Sequence, residues 1–117
     1  AYAALIKDLE ANGLLESTLV VLATEFGRKP TWGGKGRGHY PLCFSTVLAG
    51  GGVKGGYVYG ASDAEGRLPD KPTTVEDFHA TIGWAAGMPI EEPYVTSTGR
   101  PFQVGGADAK VVHDVFA

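Results

Sequence analysis

The chain has a single cysteine, Cys43, among its 117 residues. That excludes an internal disulfide and any cysteine-built zinc cage. With no histidine beside it to activate the thiol, Cys43 reads as a small buried hydrophobe. Long apolar runs are also missing. No window approaches the roughly 18 uninterrupted apolar residues of a spanning helix, and the first residues show no basic stretch followed by an apolar one, so no membrane segment is expected. Excess positive charge is absent as well: 10 Lys and Arg stand against 13 Asp and Glu, a net charge of -3. Nucleic-acid-binding domains carry a basic stripe instead, so no nucleic-acid partner is expected. There is no Gly-x-Ser-x-Gly elbow, and neither Thr24 nor Ser45 has a base next to it in sequence, which leaves nucleophilic catalysis without an evident centre. No internal repeat, low-complexity tract or linker interrupts the chain, and one domain over residues 1–117 is expected.

What is present is ordinary globular material, 44% hydrophobic and 20% charged, with one excess: 18 glycines, about twice the usual ~7%. Tight turns and close backbone approaches follow from that. Tyr2, Leu5, Ile6 and Leu9 recur at helical spacing and Asn12-Gly13 supplies a left-handed stop, which predicts a helix over roughly 1–12. The chain opens inside that helix, at Ala1 and without an initiator Met, and is expected to be a fragment of a longer protein. "TLVVLAT" follows, an unbroken β-branched and aliphatic run of the kind buried on both faces of a parallel sheet. Helix followed by buried strand predicts an α/β fold. "FSTVLAGGGV" reads as a second strand and "GGYVYG" as a third short extended segment flanked by glycines. Gly50, Gly52 and Gly55 match G-x-G-x-x-G, but the residues after them are extended rather than helical, so a dinucleotide site is rejected. "ASDAEGRLPDKP" is turn chemistry. Thr73 and Glu76 form a capping box for a second helix with an apolar stripe of Val75, Phe78, Ile82 and Ala86, stopped by Gly87 and Pro89. "GRPFQV" reads as a late strand and "AKVVHDVFA" as a short terminal helix or turn.

Chemistry concentrates in "TEFGRKPTWGGKGRGHY", residues 24–40. Glu25 is the first charge beyond the "TLVVLAT" strand, at the end of a sheet where α/β proteins bind ligands. A loop of this length tends to be functional. Glu25 and His39, carboxylate and imidazole, are residue types that share zinc or manganese; equally, Glu25 can pair with Arg28 and His39 can lie in solvent. Arg28, Lys29, Lys35 and Arg37 suit a planar oxyanion, and Gly33, Gly34, Gly36 and Gly38 let backbone N–H groups approach one. The same basic residues also make an ordinary solvated loop, and no P-loop spacing is present. His79 reads as a packing histidine, Asp77 as a partner of the helix dipole, and His113 as a surface residue.

The segments "LVVLATEFGRKP", "GRGHYP", "FSTVLAGGGVKGGYVYGASD", "VEDFHATIGWAAGMP", "GRPFQV" and "VVHDVFA" together resemble the C-terminal part of the bacterial family known as domain of unknown function 1501. That family resembles the alkaline-phosphatase and sulfatase superfamily. The resemblance implies an α/β fold, the C-terminal part of an alkaline-phosphatase-like sandwich with a mostly parallel buried sheet, flanking helices and long glycine-rich loops. It implies metal-dependent hydrolysis of phosphate or sulfate esters, with these residues catalytically incomplete by themselves and the nucleophile supplied from elsewhere. Under it Glu25 and His39 hold a divalent zinc, manganese or calcium ion, while Arg28 and Arg37 steady an anionic small-molecule or polysaccharide ester. It also implies an exported or periplasmic protein. Two departures stand out. Phe26 occupies a position where the superfamily has a metal-binding His, and Gly38 one where the family has Asp. Phe26 favours an alternative of another class, a non-catalytic exported binding or structural protein that kept the fold and lost the metal. Oligomeric state is not legible.

Overall fold

Tyr2, Ile6 and Leu9 fall on one stripe of the first helix, α1, which spans Tyr2–Ala11. Its stop is the expected one. Gly13 turns left-handed at φ 67°, its N–H donates to the Glu10 carbonyl, and the Leu14 N–H reaches back to Leu9 at 2.9 Å. These two bonds satisfy carbonyls that the helix end leaves open. The structure, a computed structural model, describes residues 1–117 and divides into two compact units, Ala1–Pro72 and Thr73–Ala117.

In the first unit a 3-10 turn, Leu15–Ser17, leads into strand β1, Val20–Leu22. Strands β2 (Gly27–Arg28), β3 (His39–Tyr40) and β4 (Val47–Ala49) follow. β1 pairs antiparallel with β4, with Val20 opposite Ala49 and Leu22 opposite Val47. β2 pairs antiparallel with β3, with Gly27 opposite Tyr40 and Arg28 opposite His39. The expected α/β sandwich with a mostly parallel buried sheet is therefore incorrect: the chain has two α-helices and three separate two-stranded antiparallel sheets. Parallel neighbours need a crossover, usually a helix. Between β1 and β4 the chain makes only the β2–β3 hairpin and returns in the opposite sense. Nor is β1 buried on both faces, since Val21 and Leu22 remain 37% and 48% exposed. The short "GGYVYG" segment pairs with no strand, and left-handed Gly56 and Gly60 stand on either side of its three-residue run. The excursion after it is the predicted turn: Asp63 accepts the Arg67 and Leu68 N–H groups and Asp70 accepts that of Ala61 at 2.7 Å.

The second unit is built on helix α2, Val75–Ala85. Its capping box lies one residue later than the Thr73–Glu76 expected from sequence. The Asp77 N–H donates to the Thr74 hydroxyl at 3.0 Å and the Thr74 N–H to the Asp77 carboxylate at 3.2 Å. In this register the carboxylate also accepts the Lys110 N–H at 2.7 Å, tying the tail to the helix. Ala80, Thr81 and Gly83 form the buried face of α2 and are joined in the core by Ile90 and Phe116. Val75, expected in the apolar stripe, is 61% exposed. Thr81 is a buried hydroxyl with both needs met: it donates to the Asp77 carbonyl at 2.7 Å and accepts the Val112 N–H at 2.9 Å. Strands β5 (Tyr94–Val95) and β6 (Pro101–Phe102) form a short hairpin, in which β6 is all that remains of the "GRPFQV" strand. The terminal segment is a 3-10 turn over His113–Val115. No helix is long and apolar enough to cross a membrane.

Candidate functional site

The segment that concentrates charge is a hairpin. β2 begins at Gly27, where any Cβ would strike the Cys43 carbonyl and come within 2.9 Å of the Phe44 Cβ. Only glycine fits that crossing. Beyond the Arg28–His39 pair the Lys29 N–H donates to the Gly38 carbonyl at 2.9 Å and extends the ladder by one bond. At the tip the Gly33 N–H donates to Gly36 and the Lys35 N–H to Gly33, at 3.1 and 3.0 Å, a tight turn made possible by Gly34 at φ 80°.

Between these ends lies an open recess of about 490 Å³, lined by Lys29, Thr31, Trp32, Lys35, Arg37 and the neighbouring glycines. Three cations border it and no carboxylate does. Trp32 is 74% exposed. Charge-assisted hydrogen bonds from such cations are the strong ones for an oxyanion, and an open, charged recess suits a hydrated anion better than an apolar ligand.

Of the four residues singled out from sequence, Arg37 lines the recess. Arg28 does not line it; its Nη1 donates to the Arg37 carbonyl at 3.3 Å and its guanidinium sits 5.6 Å from the centre of the Phe26 ring. It thus braces the loop segment that carries Arg37, two residues before β3. His39, opposite Arg28 in the ladder, stacks on Phe26 with ring centres 3.8 Å apart and planes 24° from parallel. Glu25 is exposed, next to Thr24, whose hydroxyl donates to the Phe26 carbonyl at 3.1 Å. Phe26, noted from sequence only as a missing ligand, is here the ring on which His39 and Arg28 gather. Trp32, an aromatic whose place in a long loop argues for packing, stands exposed instead, between Pro30 and a Gly-Gly pair.

A metal is tested by its donors. No three His, Cys, Asp or Glu side chains come together as a metal site, and Glu25 and His39 offer two donors where a catalytic zinc takes three from protein and a structural one four. These residues alone do not make up a zinc, manganese or calcium site.

Elsewhere, His79 is exposed on α2, with its ring 6.4 Å from that of Phe78. His113 meets the Trp84 ring edge-on at 4.8 Å. Asp77 is tied into the second unit: the Lys110 N–H, helped by Thr74, holds its carboxyl below the ordinary 3.8 against the opposing effect of burial.

The family model described as "Protein of unknown function (DUF1501)" matches residues 1–116. No curated protein and no solved structure matches the chain.

Proposed function

The chain belongs to the DUF1501 family, and on that footing we propose that the 27–40 hairpin grips the anionic group of a phosphate or sulfate ester. In this reading the chain is the substrate-holding part of a hydrolase of the alkaline-phosphatase and sulfatase kind, catalytically incomplete without groups beyond these residues. The observation that carries it is the recess itself, with Lys29, Lys35 and Arg37 on its lining and no acid among them. Arg28 acts from behind, through its bond to the Arg37 carbonyl. A divalent ion on Glu25 and His39 belongs to the same proposal but needs further donors, and the anion grip does not depend on it. Export of the protein is likewise proposed, on the family resemblance.

Calorimetric titration of the chain with inorganic sulfate and phosphate tests the grip. Each of Lys35→Ala and Arg37→Ala should weaken binding by up to about fivefold, the upper end of the range of exposed charge contacts, and the double variant more. Binding indifferent to both substitutions would remove the proposal.

The stack of Phe26 on His39 favours a second reading, a non-catalytic exported binder that uses the same recess. The two part on turnover. Full-length protein that hydrolyses nitrophenyl phosphate or sulfate, and loses that activity with Arg37→Ala, supports the hydrolase; anion binding with no hydrolysis supports the binder.

A further inference from the structure

A single exposed aromatic residue on a protein surface ordinarily calls for no explanation. Trp32 differs in its company: it lines the same recess as Lys29, Lys35 and Arg37, on a glycine tip, 74% exposed. Apolar face and cations are offered to one ligand. Resting on the anion-grip reading above, we infer that the organic part of that ligand is a sugar ring stacked on the Trp32 indole and bearing two or more sulfate or phosphate groups.

The face of an indole is the negative part of its quadrupole, and the axial C–H bonds on one face of a pyranose carry slight positive charge. The two surfaces attract and are flat on the same scale. Hydroxyl groups around the ring then find the Thr31 hydroxyl and the peptide groups of the glycine tip, both part of the lining. The charge pattern selects among stacking ligands. A nucleotide base also stacks on an aromatic ring, but a nucleoside monophosphate gathers its charge at one end. Here the cations stand at both ends of the recess: Lys29 bonds to Gly38, the neighbour of Arg37, at the strand end, and Lys35 lies in the glycine tip. Anionic groups distributed around a sugar match that arrangement.

The test compares five probes on the full chain: inorganic sulfate, a disulfated galactose disaccharide, its unsulfated parent, glucose 1,6-bisphosphate and AMP. The disulfated disaccharide or the bisphosphate should bind about tenfold more tightly than inorganic sulfate, and whichever does so identifies the anion. Trp32→Ala should remove most of that advantage, about fivefold to tenfold, while leaving inorganic sulfate unchanged; Trp32→Phe should restore part of it. Circular dichroism checks that both variants are folded, as expected for so exposed a position. Equal affinities for both anionic sugars and sulfate, AMP binding as tightly as either sugar, or a Trp32→Ala loss shared equally by sulfate would overturn the sugar inference and leave the anion grip standing. Failure of every probe, sulfate included, would overturn both.

Discussion

At the scale of the residue, Gly38 stands where the family resemblance leads one to expect Asp, and its surroundings show what an acid there would do. A Cβ there would meet only the Lys29 side chain, at 3.6 and 3.7 Å, ordinary van der Waals distances. An Asp therefore fits, and its carboxylate would lie beside a cation of the recess. Gly38→Asp should leave stability within about 0.5 kcal/mol and weaken sulfate binding severalfold by pairing Lys29. Affinity that is unchanged or increased, measured by the same titration, would show that Lys29 takes no part in the grip. His39 makes the complementary point. From sequence it is a donor or a solvent-exposed ring, and nothing in the spacing reveals that Phe26 stacks on it, because the stack depends on a hairpin with two-residue strands.

At the scale of the element, α2 is governed by its first turn. Asp77 caps the helix and also receives the Lys110 N–H, so one carboxylate holds two segments. Its folded-state pKa lies below the ordinary 3.8. A depressed acid contributes stability that is present above its unfolded pKa and is lost as pH falls through the folded one. The second unit should accordingly weaken as pH drops below about 3.8. Asp77→Asn should lack that acid-dependent loss and be about 1–2 kcal/mol less stable at neutral pH. Hydrogen exchange at the Lys110 amide reads both; identical acid profiles for the two proteins would refute the assignment. The helices were legible in sequence because their signals are local: a stripe at three- and four-residue spacing, Gly13 after α1, Gly87 after α2. The capping register slipped by one because two threonines precede two acids, and either pairing satisfies the pattern. The sheet was not legible for a deeper reason. An unbroken apolar run carries no information on strand direction, and β1 finds its partner 25 residues or more along the chain.

At the scale of the whole molecule, charge is unevenly spread. Residues 24–40 hold four of the ten Lys and Arg and only one acid, a local +3 in a chain whose net charge is -3, so the remaining residues carry -6. Net charge correctly signals the absence of a basic domain and hides a basic patch. The attraction of that patch for an anion acts through solvent and is screened by salt. Raising ionic strength from about 0.01 to about 0.15 M shortens the Debye length from ~30 to ~8 Å. Sulfate affinity should fall severalfold over that range, whereas a salt-independent affinity would point to contacts other than the exposed cations.

The Lys29–Gly38 bond that closes the hairpin is made by peptide groups alone, so the residues between them are held at their ends whatever their side chains. Chain entropy is forgiving about such a tip: doubling its length costs only about 0.6 kcal/mol. The recess is consequently the part of this molecule freest to diverge. A lineage could exchange Trp32, Lys35 or Arg37, or insert residues among them, and acquire a new ligand preference with the strands beneath left as they are.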